Sequence, residues 1–166
     1  MKDKIYLILG ILFFLIGVGI YVAGDVTKDI ENNIKNSELM VLNTSLDEYQ
    51  LVNDYRFKRG KGFIKRNVAL EQSANIRAYR LSIGQDTWSH DGFKGVVYHF
   101  YDGNRVGTGE NLARGFTSFK DAFEAWKVSD GHNRNMLGEY CDIGLGNYGD
   151  VYVMHLGIDY DNDCNK

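Results

Sequence analysis

The sequence predicts an α+β domain, helices packed on an antiparallel sheet, carried behind one transmembrane helix. Three observations lead there: an uncharged apolar run near the N-terminus, several stretches with apolar residues at helical spacing, and two alternating segments joined by a turn near the C-terminus.

The apolar run extends from Ile5 to Ala23. At ~1.5 Å of helical rise per residue it matches the hydrocarbon thickness of a bilayer, and it lacks the polar face of a buried core helix. Lys2 and Lys4 precede it while Asp25, Asp29 and Glu31 follow, so the positive-inside tendency places the remainder on the outer side. Val22-Ala23-Gly24 would also suit a signal peptidase, but the run exceeds the ~7–15 residues of a signal core. The length favours a retained anchor over a cleaved signal that would release a secreted domain. Residues 1–24 are therefore read as anchor or signal segment, 25–44 as a polar stalk and 45–166 as the folded domain.

Ser45 and Glu48 form a capping-box pattern that opens a first helix, with Leu46, Tyr49, Val52, Asn53 and Phe57 on one face and a stop near Gly60. Val68 to Ile83 reads as a second helix, with Leu70, Ala74, Arg77, Ala78 and Leu81 three and four apart and Gly84 as its stop. The small residues Ser73, Ala74 and Ala78 imply close approach of another element. A glycine- and aromatic-rich loop from Gln85 to Gly109 follows, with one strand expected at Val96 to Tyr101. Ser118 caps a third helix to Val128, which buries Phe119, Ala122, Phe123 and Trp126. Gly131 to Leu137 forms a short fourth helix. Two strands, Asp142 to Asn147 and Val151 to Leu156, flank the turn Asn147-Tyr148-Gly149-Asp150.

The formal net charge of −3 and the absence of a basic stripe exclude nucleic acid as the expected partner. The membrane is one partner, through residues 5–23. The only cysteines, Cys141 and Cys164, form a candidate disulfide, because an even pair outside the cell is more often oxidised than free. His99 and His155 read as packing residues. Trp88 reads as either a cleft wall or a core plug.

No nucleophile elbow, phosphate-binding loop or zinc-protease helix motif occurs. Polar residues cluster instead in four blocks: Ser89-His90, Gly109-Glu110-Asn111-Leu112-Ala113, Trp126 to Leu137 with Ser129 and His132 inside it, and Ile143-Gly144-Leu145-Gly146. With Val52-Asn53-Asp54-Tyr55-Arg56 upstream, their order and spacing resemble the CAP superfamily (cysteine-rich secretory proteins, antigen 5 and pathogenesis-related proteins), in its bacterial SCP-like branch. The resemblance implies an α–β–α sandwich around a central antiparallel sheet. It also implies a cleft containing His90, Glu110 and His132; Ser129, Asn111 and Trp88 are candidate lining residues beside them. Where many eukaryotic members carry a second glutamate, this chain has Ser129.

Two imidazoles beside a carboxylate suit a divalent metal such as zinc, held by His90 and His132, with Glu110 as catalytic base. The same residues also suit plain hydrogen bonding that ties loop to helix. The resemblance therefore implies a ligand- or partner-binding module at the cell envelope, for a lipid, protein or other envelope ligand. The alternative is a metal-dependent hydrolase of envelope or extracellular substrates. Enzymatic activity is left undecided by the residues.

Overall fold

The computed structural model describes residues 27–37, 39, 47–101, 106–159 and 164. The apolar run at 5–23 and the Ser45 cap lie outside them. Among the described residues no helix is long and apolar enough to cross a membrane. The chain divides into two compact units at Leu46 and Asp47. In the first, residues 27–37 form an exposed helix.

The second unit carries five helices and four strands among its described residues. Helix α1 spans 47–58. It is followed by β1 (Lys65–Arg66), α2 (Val68–Ser82), α3 (Phe93–Phe100), β2 (Val106–Arg114), α4 (Phe119–Val128), α5 (Asp130–Met136), β3 (Asp142–Tyr148) and β4 (Val151–Asp159). The sheet order is β1-β3-β4-β2. Pairing is antiparallel except at the two-residue edge β1, which runs parallel to β3. The mixed helix-and-sheet architecture thus agrees with the expected fold class.

Strand alternation assigns the two faces. Ala113, Ile143, Leu145, Tyr152, Met154 and Leu156 join Val52, Phe123, Trp126 and Met136 in one apolar core with α1, α4 and α5. On the other face Leu112, Val151 and Val153 meet Ala74, Ala78 and Leu81 of α2. That contact is close because β3 presents glycines to it. A Cβ on Gly144 would overlap the backbone of Leu70 and Glu71, and one on Gly146 the backbone of Ala74 and Asn75. The small residues of α2 and the Gly-x-Gly of β3 are therefore two halves of one contact.

The Asn53 and Arg56 pair of α1 acts as a clamp. Asn53 exchanges hydrogen bonds with the backbone of Ile64, its Oδ1 accepting from N at 2.9 Å and its Nδ2 donating to O at 3.1 Å. Arg56 donates to the carbonyls of Met136 (2.6 Å) and Gly138 (2.9 Å), which satisfies the end of α5. Phe57, expected on the buried face, is 70% exposed. The face turned inward runs through Tyr49, Val52, Asn53 and Arg56, because the clamp's polar groups are buried with it.

Two other expectations need correction. Val96 to Phe100 is helical rather than extended, with only the C-cap Tyr101 in extended conformation. Its β-branched and aromatic composition favours a strand, but Phe93, Val97 and Tyr101 are spaced to bury together on Leu70 across α2. Gly92, at φ 80°, supplies the left-handed entry to α3. Conversely, the end of the expected loop, up to Gly109, is extended and opens the nine-residue strand β2. Its glycines and polar residues are poor strand formers, and continuous pairing with β4 holds it extended. Cys141 and Cys164 are disulfide-bonded, with Cα atoms 5.1 Å apart, tying the start of β3 to the C-terminal tail.

Candidate functional site

Register places Glu110 of β2 directly opposite His155 of β4, on the face covered by α2. Ser73 and Arg77 stand four residues apart on that helix, hence on one side of it. All four side chains are essentially sealed from solvent, Glu110 being 3% and His155 0% exposed. Glu110 Oε2 accepts from Arg77 Nε (3.1 Å) and His155 Nε2 (3.2 Å), while Oε1 accepts from His90 Nδ1 (2.9 Å).

Burial pushes the Glu110 carboxyl up, but hydrogen bonds from His155 and His90, with the Arg77 charge, outweigh it and hold the group below the usual carboxylate range. An ionised carboxylate only accepts, so His90 carries its proton on Nδ1 and turns Nε2 outward. Burial lowers His155 and keeps it neutral. With Nε2–H donated to Glu110, its Nδ1 faces Ser73 Oγ at 2.7 Å, whose single proton is shared between this nitrogen and the Leu70 carbonyl, also at 2.7 Å.

Arg77 uses its remaining nitrogens to fasten the loop that carries His90. Nη1 bonds Asp86 at 2.5 Å, and Nη2 bonds the carbonyls of Ser89 (2.6 Å) and Asp91 (3.3 Å). A buried guanidinium with four partners fixes the loop to the sheet.

On the apolar side of β2, His132 of α5 approaches His90 with ring centroids 6.3 Å apart. Burial first, and then the His90 charge, lower its pKa. A cavity of about 490 Å³ opens beside it. Trp88, Phe116, Leu112 and Trp126 supply the apolar wall, and Ser129, His132 and Arg114 the polar one. Trp88 is 44% exposed and is thus a cleft wall. The Arg114 guanidinium lies over its ring, 4.3 Å from the centroid.

Asn111, expected on the cleft wall, is fully buried behind His132. Its Nδ2 donates to the His132 carbonyl (3.0 Å), and its Oδ1 accepts from Asn135 (2.9 Å). His90, Glu110, His132, Ser129 and Trp88 are therefore gathered in one region, with Asn111 as a support beneath. His99 lies apart, exposed on α3 against Phe100.

The residue pattern missed Arg77 and His155 as members of the site. One signal was available: an arginine on an otherwise small and apolar helix face must find a buried anion.

The family model of the cysteine-rich secretory protein family, CAP, matches residues 49–151. The chain belongs to the CAP family. Among solved structures, its fold is similar to an extracellular SCP-domain protein of Bacillus anthracis, with a TM-score of 0.62 and 20% identity over 67% of this chain and 39% of that one. It is also similar to a cysteine-rich secretory protein of Staphylococcus aureus (TM-score 0.60, 21% identity, 69% of this chain and 38% of that one). A third is an outer surface protein of Borrelia burgdorferi (TM-score 0.59, 22% identity, 70% of this chain and 93% of that one). At such identities the likeness concerns the CAP fold alone. The chain spans less than two fifths of the first two proteins. No curated protein matches the sequence.

Proposed function

We propose that this CAP domain is a ligand-binding module acting outside the cytoplasm, with the cavity beside His132 as its binding site. The observation that carries this reading is the mixed lining of the 490 Å³ cavity, in which aromatic walls converge on a hydroxyl, an imidazole and a guanidinium. The Cys141–Cys164 disulfide supports an oxidising compartment. So do the extracellular and outer-surface descriptions of two structural relatives. The apolar run Ile5 to Ala23 then serves as a membrane anchor, or as a signal if cleaved.

A divalent metal is a further ligand of the same region. The Nδ1–H of His90 bound to Glu110 leaves the Nε2 lone pair free to ligate, with the His132 ring centroid 6.3 Å from that of His90. A carboxylate holding the far nitrogen of an imidazole is frequent at metal sites. The fit is limited to these two imidazoles. Both Glu110 oxygens are already taken, and no group of three His, Cys, Asp or Glu that suits a metal occurs among the described residues. Such a pair falls short of the three protein ligands of a hydrolytic zinc centre. A Glu110 committed to Arg77, His155 and His90 is also badly placed to take a proton from substrate. The binding reading is therefore preferred to the hydrolase.

The test is amide and indole NMR shift mapping with a mixed set of small amphipathic compounds on the full chain. The reading expects shifts confined to Trp88, Leu112 to Phe116 and Ser129 to His132. Shifts elsewhere, or none, would overturn it.

A further inference from the structure

We infer that the cavity takes a ligand bearing one carboxylate on a compact apolar body, and that Arg114 with the open edge of β2 receives the carboxylate. This rests on the cavity being the binding site and goes further, to the chemistry of its ligand.

Among the described residues β2 has β4 on one side and no strand on the other. Gly115 N donates to Asp150 O at 3.0 Å, which makes the Arg114–Val151 pair a non-hydrogen-bonded one. By alternation, the N–H and C=O groups of Glu110, Leu112 and Arg114 then point off the open edge. Two side-chain contacts agree. Asn135 Nδ2 donates to Glu110 O (3.0 Å) and Trp126 Nε1 donates to Leu112 O (3.0 Å).

The edge acceptors at Glu110 and Leu112 are thus satisfied from within the chain, whereas the N–H groups of Leu112 and Arg114 face the cavity their residues line. The edge there offers two backbone donors, with the Arg114 carbonyl as its remaining acceptor. The Arg114 guanidinium, stacked on Trp88, uses Nη2 for the Leu81 carbonyl (2.8 Å) and keeps its other N–H groups available. Among the described residues no aspartate or glutamate lines the cavity. A fixed cation, backbone donors and the Ser129 hydroxyl with no opposing carboxylate complement an anion. The aromatic and aliphatic remainder of the wall complements an apolar body, and the volume limits its size.

Two sources share this chemistry: a free small acid and the C-terminal end of a peptide. The probes are 3-phenylpropionate for the first and N-acetyl-phenylalanine for the second, each beside its primary amide. Binding to the full chain is followed by the indole N–H signals of Trp88 and Trp126, the only tryptophans. At least one acid is expected to bind about tenfold or more tightly than its amide, a margin typical of a charge-assisted hydrogen bond lost. Arg114→Gln should remove that preference and Arg114→Lys restore part of it. The better acid identifies the source. Acid and amide binding equally at the cavity would overturn the inference while leaving the cavity as the binding site. A preference for the acid that survives in Arg114→Gln would overturn Arg114's part in it. Absence of any shift at either indole, with all four probes, would overturn both readings.

Discussion

The two faces of the sheet are held by different physics. Toward α1, α4 and α5 the contact is broad and apolar, built from interdigitating side chains such as Phe123, Trp126, Met136 and Met154. Toward α2 it is tight and partly polar: glycines on β3 admit the helix backbone, and the Ser73–His155–Glu110–Arg77 network occupies the space beside them. The first face stabilises through area removed from water, about 25 cal/mol per Å². The second holds buried charge, which stabilises little in net terms but is costly to leave unpaired. That second face, through Arg77 and Glu110, fixes His90 and its loop at the rim of the cavity. Stability and positioning are thus divided between the faces.

The contrast can be broken most forcefully at the glycines. Gly144→Val should abolish the native fold or cost more than about 4 kcal/mol, since the added Cβ alone collides with helix backbone that has no room to yield. Circular dichroism and urea melts read this directly. Retention of near-native stability would mean that α2 does not lie as close to β3 as described.

Near-isosteric exchanges then separate the faces. Glu110→Gln changes volume little but removes one of the two carboxylates on the buried Arg77, leaving it Asp86 alone, with an expected loss of ~1.5–3 kcal/mol. Met154→Leu, on the apolar face, should cost under ~1.5 kcal/mol. Chemical denaturation of both variants checks the ordering, and equal losses would remove the distinction between the faces.

How far this was readable in advance depended on which interaction fixed each element. Helices α2 and α4 followed from apolar spacing, with Ser118 as the cap of α4, because local sequence and tertiary demand agree there; the Asn67 cap of α2 emerges only in the structure. The β3–β4 hairpin followed from alternation and the turn at Gly149. α3 and β2 did not, since each contradicts its own local propensity and is decided by a distant partner, Leu70 in one case and β4 in the other. The same holds for the site. His90, Glu110 and His132 stood out by motif, as did Trp88 and Ser129 by neighbourhood. Arg77 and His155 come from a helix and a strand far away in sequence, and only the register of β2 with β4 and the approach of α2 bring them to Glu110. Arg114 carries no signal in the sequence pattern and joins the cavity through its stacking on Trp88.

The central claim is that Glu110 orients His90 from beneath the cleft rather than acting within it. Nitrogen-15 NMR of the histidine side chains, at a pH where the imidazoles are neutral, tests it most directly. The account predicts His90 as the Nδ1–H tautomer and His155 as the Nε2–H tautomer, with the His90 preference lost in any folded fraction of Glu110→Gln. His90 found as the Nε2–H tautomer in the unaltered chain would contradict it, because Glu110 would then have no proton to hold there.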